Sequence, residues 1–318
     1  MLYSNNFQVN SSEIFKLFDQ RKVHNFRETF LSKISSLDNP TDNSIFFIKK
    51  LTEKNLEIIE KVKGSVFFVN EAKVSEKNII VETANPRLDF TRFIEHIYNN
   101  FDDEYAVEGL DLRDSNIVIS KSAKVHESVK IFPNVYIGPN TTIGENTLIY
   151  PNVSIIGNTS IEANCSIGAN TVIGNHGFGG ERGENDEIFM MPHLGGVIID
   201  KNVRIGANNT IVSGTINPTR IGEYTKLDDH VHFAHNCVAG KSCFITASAQ
   251  FSGSVVLGDR VWIGPNTSII QGVKIENDAT IGIGAVVTKN VSEKQVVAGN
   301  PALDIKTFIK QRNFLKSI

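Results

Sequence analysis

The sequence predicts a mainly β protein: a long triangular parallel β-solenoid, preceded by a small α/β domain and followed by a short C-terminal helix. Three observations lead there. An aliphatic or aromatic residue returns every sixth position from Ile119 to Val287. Strand-like and helix-like segments alternate in the first hundred residues, and a final segment after Pro301 has lost the period.

The N-terminal part, 1–112, opens with SSEIFKLFDQ, whose serines suit a capped helix. SIFFI (44–48) and SVFFV (65–69) have the density of buried strands, and the amphipathic TEKNLEIIEKV lies between them. NPRLDFTRFIEHIYNNF then carries a proline near the start of a second helix. This β–α–β–α order predicts a small α/β domain. Phe46, Phe47 and Tyr3 are aromatics able to stack on a base, but in so small a domain aromatics usually belong to the core.

The solenoid is expected over 113–298. The period runs from Ile119 to Ile173, resumes at Ile199, Ile205 and Ile211, and runs again from Ile221 to Val287. A period of six fits neither a helix at 3.6 nor a simple strand at 2. It fits a short strand and a turn, three of which close one coil, with the repeated residue stacked inside. The hexapeptides make about eight coils, or roughly 40 Å of prism at ~4.8 Å per coil. Gly, Asn and Asp after the inward residue are expected to supply corners of positive φ. Two breaks interrupt the phase: a long loop, 174–198, and the shorter SGTINPTR, 213–220. Loops on a rigid scaffold often carry function. The segment 299–318 is expected to leave the prism as a helical tail.

Bulk properties exclude several classes. With 32 basic and 35 acidic residues the net charge is −3, which offers no field for nucleic acid. No apolar run approaches the ~20 residues that span a bilayer, and the N-terminus has no signal-peptide pattern. Cys165, Cys237 and Cys243 are odd in number and unpaired in spacing, as expected of reduced thiols in a cytoplasmic protein. No membrane insertion, structural metal or tightly bound cofactor is expected.

The ionisable cluster VHFAHNCVAG (231–240) stands out in this aliphatic region. His235 and Gly253 are eighteen residues apart, one coil, so they stack about 5 Å apart on one edge of the prism, with Gln271 next in the column. A base and a backbone donor on adjacent coils can bracket one tetrahedral centre.

Words such as IGPNTT and IGENTL resemble the left-handed parallel β-helix of the hexapeptide-repeat acyltransferases. NPRLDFTRFIEHIY, VIGNHGFGG (172–180), MPHLGGVII and DDHVHFAHNCV narrow the resemblance to the UDP-3-O-(3-hydroxyacyl)glucosamine N-acyltransferases of lipid A synthesis. That resemblance implies a homotrimer with active sites between subunits, His235 as general base and the Gly253 amide as oxyanion donor. His176, Phe178, His193, Asp228, His232, Asn236 and Gln271 are the candidate substrate contacts. Asp228, Asp229 or a main-chain carbonyl can orient the imidazole, and Cys237 is expected to be packing.

The sequence also departs from that family. IIQGVKI, with Gly272, replaces an N-G-H phrase; IKKL stands in place of N-P-K-Y; VSGT (212–215) stands in place of D-R-G-A; and the C-terminal helix is short. VVTKNVSEKQVVAGNPA (286–302) resembles the end of many coenzyme A-dependent hexapeptide enzymes, which makes Lys289, Lys294 and Asn300 candidates for binding that donor. The expectation is transfer of an acyl group from acyl-CoA to the amine of a nucleotide-linked amino sugar. The lipid A reaction, with acyl carrier protein as donor, is the first alternative. A zinc hydratase of the γ-carbonic anhydrase kind, using His230, His235 and His193, is a second. A catalytically inactive sugar-binding trimer is a third.

Overall fold

The computed structural model describes residues 8–19, 22–71, 75–98, 110–113 and 116–318. Tyr3 lies outside them. The chain divides into two compact units, Met1–Asp102 with Phe178–Leu194, and Asp103–Gly177 with Gly195–Ile318.

In the first unit, strands 44–48, 66–69 and 79–82 form the parallel centre of a five-stranded sheet. Strand 33–34 extends it in parallel, and 23–24 pairs antiparallel at the other edge. Helix α1 (Glu53–Lys61) is N-capped by the Thr52 side chain, and α2 (Pro86–Tyr98) follows the strand 79–82. The expected first helix is a 3-10 turn, Ser11–Lys16, capped by Asn10. Phe46 and Phe67 stack at 4.6 Å with their planes 6° apart, and Phe47 packs on Phe90, the packing role expected of aromatics in a small domain.

A stretch of the long loop belongs to this unit as well. Its antiparallel hairpin, 180–182 with 188–190, is tied to α2 by Arg87–Glu181 (2.5 Å) and Arg92–Glu187 (3.4 Å). The Arg92 guanidinium also lies 4.6 Å from the centre of the Phe189 ring. Residues 178–194 therefore pack with the α/β elements, where the sequence placed them with the solenoid.

The second unit is a parallel β-solenoid with three sheets of eight, ten and ten strands. Strand 110–113 and strand 303–304 each close one of the larger sheets in antiparallel fashion. Successive coils pair at an offset of eighteen residues, as in Lys124↔Thr142. The offset widens across the first break (Thr159↔Val197) and the second (Val197↔Thr219), then returns to eighteen at Arg220↔Val238. The repeated residue is buried throughout the central coils, and the one two places before it is a second, smaller inward position. All three cysteines occupy that second column and are buried and free.

The corners differ from expectation in their chemistry. Asn holds most of the early positive-φ corners, and a ladder of side-chain amides runs Asn116–Asn134–Asn152–Asn170 at 3.1–3.3 Å. Later corners are held at positive φ by Tyr224, His230, Asn236, Ser242, Ser248, Ser254 and Arg260. Backbone bonds to the preceding coil, such as Ser254 N–H to His235 O at 2.9 Å, impose the conformation on residues that do not prefer it. Many of the glycines serve another purpose. A Cβ at Gly138 would sit 1.9 Å from Ile156 O, and one at Gly240 would sit 2.4 Å from Gly258 O. They are needed for close approach of consecutive coils.

The chain leaves the prism through strand 296–298 and ends in α3 (Ile305–Lys316), capped by Asp304. No described helix is long and apolar enough to cross a membrane.

Phe233 and Phe251 fill the centre where most coils use Ile, with ring centroids 5.0 Å apart. Phe233→Ala should lower the unfolding free energy by about 3–5 kcal/mol, because adjacent coils cannot close the void. Urea denaturation monitored by circular dichroism will read it.

Candidate active site

Each prism corner follows a strand, and the corner after strands 172–175, 210–212, 232–233, 250–251 and 268–269 concentrates the unusual chemistry. These strands lie in register in one sheet. Both breaks leave the prism at this corner, since each falls between this sheet and the next: 175 to 197, then 212 to 219. His235 follows on the next coil, then Gly253, Gln271 and Lys289, each two residues beyond an inward residue and each one coil apart.

The His235 ring lies directly against Gly253. A Cβ on that glycine would be 2.3 Å from Cε1 and 2.6 Å from Nε2 of the imidazole. Only glycine leaves room for the ring. At some equivalent places on other corners, a side chain from an adjacent coil caps the backbone N–H: Asp229 for Ala207 (2.7 Å), Asp259 for Lys241 (2.8 Å) and Asn277 for Asp259 (2.8 Å). No described residue caps Gly253 N–H. An uncapped amide beside an imidazole is a ready hydrogen-bond donor for an oxyanion.

The ring is half-buried, and its Nδ1 lies 3.3 Å from Asn236 Nδ2. Asn236 is in turn held by the second break: its Oδ1 accepts from Thr215 N–H (2.7 Å), and its Nδ2 donates to Thr215 Oγ1 (2.7 Å). Asn236, a candidate substrate contact, thus also touches the His235 ring. Asp229 is engaged at Ala207, and Asp228 is exposed on the corner before the strand that leads to His235. His230 lies on that earlier corner too. With an extended strand between them, His230 and His235 are about 16 Å apart. One chain therefore cannot offer both to one zinc ion, and no three described His, Cys, Asp or Glu side chains gather as a metal site.

The other expected residues separate. His232 points outward from the strand between Thr210 and Gln250, and burial lowers its pKa from the usual imidazole value. His176 sits on the His235 corner where the long loop departs. Phe178 is 92% exposed, whereas His193 is buried in the first unit, its Nδ1 2.8 Å from Met191 O. Gln271 and Lys289 are exposed on the His235 column. Lys294 is on a different corner and is ion-paired with Glu293 at 3.0 Å; Asn300 is exposed beyond the last coil. Burial pushes the Cys165 thiol up to about 11 and the Cys237 thiol up to about 12. Neither offers a thiolate nucleophile near neutrality.

The first unit holds its own cavity of about 750 Å³, lined by Phe18, Thr83, Asn85, Glu95, Arg92 and Phe189 among others. Burial raises the pKa of the Glu95 carboxyl there.

The family profile "Bacterial transferase hexapeptide (six repeats)" matches residues 122–157, 140–175 and 254–289. The chain is a hexapeptide-repeat solenoid, and its likenesses fit an acyltransferase. It is 35% identical over 139 residues to the UDP-3-O-acylglucosamine N-acyltransferase of Caulobacter sp. (strain K31), covering 44% of this chain and 41% of that one. The protein of the same name from Methylobacterium nodulans is 36% identical over 142 residues, 45% of this chain and 40% of the relative. These matches span about two-fifths of the relatives' length. Among solved structures, the UDP-N-acetylglucosamine O-acyltransferase of Moraxella catarrhalis superposes with a TM-score of 0.54 at 27% identity, over 60% of this chain and 72% of that one. Within this hexapeptide solenoid, His235 and Gly253 are the pair that sequence spacing had placed on one edge.

Because folding lowers the pKa of His232, the unfolded chain binds more protons below about pH 6.5, and stability must fall as pH falls through that value. Melting temperatures measured from pH 7.5 to 5.5 should decline, and the decline should be smaller in His232→Gln.

Proposed function

We propose that this protein is an N-acyltransferase that moves an acyl group from a thioester donor to the amine of a nucleotide-linked amino sugar. One observation carries the reading: the His235 ring rests on Gly253, whose amide is uncapped. The names of the relatives supply the substrate class, a UDP-linked glucosamine derivative in each case.

A thioester is already activated, so the reaction needs a deprotonated amine and a stabilised oxyanion. A neutral imidazole has a pKa near ~6.5 and suits the first of these needs. As the amine nitrogen attacks, His235 takes its proton, and Gly253 N–H donates to the carbonyl oxygen as charge grows there. The imidazolium then returns the proton to the departing thiolate. No covalent acyl-enzyme is required, in keeping with buried, protonated cysteines.

Acyl-CoA is the favoured donor. Gln271 and Lys289 continue the column beyond Gly253, and three coils place Lys289 about 14 Å along the axis from His235. An extended pantetheine arm laid along this edge would bring phosphates toward that exposed lysine. Lys294, ion-paired on another corner, is a weaker candidate. Acyl carrier protein is the second reading, favoured by α3. Its sequence IKTFIKQRNFLK has four basic residues and no acidic one, which suits an acidic protein donor. The cavity of the first unit, with Asn85, Thr83 and Phe18 in its wall, is the place proposed for nucleotide recognition. A homotrimer with the His235 corner facing a neighbouring subunit completes the proposal.

The test is thiol release from acetyl-CoA and 3-hydroxybutyryl-CoA, and product formation from acyl carrier protein, against a panel of UDP-, dTDP- and GDP-linked amino sugars. His235→Ala should lower turnover at least ~100-fold while the oligomer persists on size-exclusion chromatography. Gly253→Ala should be as damaging with little change in melting temperature, because its Cβ displaces the ring and not the backbone. Wild-type turnover in either variant refutes the assigned site.

A further inference from the structure

We propose that the C-terminal helix α3 lies on an anionic lipid surface and holds the protein at a bilayer that it does not cross. The inference is independent of the reaction assigned to His235.

Two properties of the helix lead there. Lys306, Lys310, Arg312 and Lys316 stand in it with no acidic residue between Ile305 and Lys316, in a chain whose net charge is −3. None of its residues is buried, although its start packs against the strands 296–298 and 303–304. Phe314 is 68% exposed, Leu315 70% and Ile318, just past the helix, 87%. Large apolar side chains gathered in water in this way mark a surface that another body covers.

Their arrangement says more. At about 100° per residue, Thr307, Gln311, Phe314, Leu315 and Ile318 share one uncharged strip centred near Gln311. Ser317, the C-cap, stays in the right-handed helical region and carries the strip on to Ile318. Lys310 and Arg312 lie about 100° to either side of the strip's centre, and Lys306 and Lys316 about 140° to either side. Phe308 borders the strip but is turned onto Gly299, where a Cβ would sit 2.9 Å from its ring, so it ties the helix to the solenoid. Ile309 is the exposed apolar residue that falls among the cations. Two cations on each flank of an apolar strip match a helix lying in the plane of a membrane surface. Phe314, Leu315 and Ile318 would enter the boundary of the acyl chains, while the basic side chains reach back along the flanks to headgroup phosphates.

Charge decides between occupants. A second copy of α3 would bring four more cations against these four, with no carboxylate in either helix to offset them. An acidic protein suits the cations, but it must also carry an apolar groove shaped for the strip. A bilayer with acidic phospholipid supplies phosphate and hydrocarbon in one plane, which is the order in which the helix presents its partners.

Co-sedimentation of the full chain with vesicles tests this. The protein should bind vesicles of phosphatidylcholine mixed with phosphatidylglycerol, and bind phosphatidylcholine alone at least ~10-fold less tightly. Salt at ~1 M should weaken the binding, because the headgroup charges are then screened. Phe314→Ser with Leu315→Ser should weaken it at least ~10-fold, and so should Lys310→Gln with Arg312→Gln. Melting temperatures should not change, since all four side chains are exposed. Absence of binding, equal binding to both vesicle types, or undiminished binding by either double variant overturns the proposal. Two further results overturn it by assigning α3 elsewhere, each in the absence of vesicle binding. One is capture of acyl carrier protein that is lost in the Lys310/Arg312 variant, which makes the partner a protein. The other is a smaller oligomer in the Phe314/Leu315 variant on size-exclusion chromatography, which makes the strip a contact between copies.

Discussion

Consecutive coils are joined by parallel backbone hydrogen bonds at a fixed interval of eighteen residues, and every functional placement in the second unit follows from that spacing. A parallel ladder sets neighbouring strands ~4.8 Å apart. Residues eighteen apart are thereby held within one reacting centre's reach of each other, by a scaffold too rigid to let them drift. His235 on Gly253 is one case, and the asparagine ladder on the earlier corners is another. The glycines that would clash with the next coil show how little slack the arrangement has.

The same ladder explains why chemistry gathers at a corner. Along the faces, backbone groups are spent on the coils above and below. At the turn, the amide two residues past the inward side chain has no place in the ladder and is met by a side chain or by solvent. Asp229, Asp259 and Asn277 provide one on other corners. Among the described residues none caps Gly253 N–H, which leaves that amide able to donate to a ligand. Both breaks open at this corner, and the second returns a threonine to brace Asn236, the residue next to His235.

Much of this was legible in the residues because a six-residue period leaves few alternatives. The coil length followed from it, and the pairing of 235 with 253 needed only subtraction. The features that escaped depend on contacts no period encodes. Residues 178–194 pack with α2 through Arg87 and Arg92, a choice made by ion pairs far apart in sequence. The sequence does not show that Thr215, displaced by a break, returns to meet Asn236. Lys289 and Lys294 looked equivalent as neighbouring lysines. A corner lies between them, and only a phase count through Val287 and Val291 separates their columns. The glycines were read for positive φ, whereas at Gly138 and Gly240 the demand is room for the next coil.

The cysteines and histidines together define what kind of chemistry the prism can support. Three thiols line the small inward column, where burial keeps them protonated and away from solvent. Burial lowers the pKa of the half-buried His232 and so favours its neutral form. Glycine beneath the His235 ring leaves room for the imidazole at this corner. A site made this way favours a substrate that arrives already activated, because the protein supplies orientation, one proton acceptor and one amide donor. The restraint on chemistry comes from the coil itself: a corner has room for one ring against one glycine, and the remaining specificity has to come from what the two breaks and the first unit add.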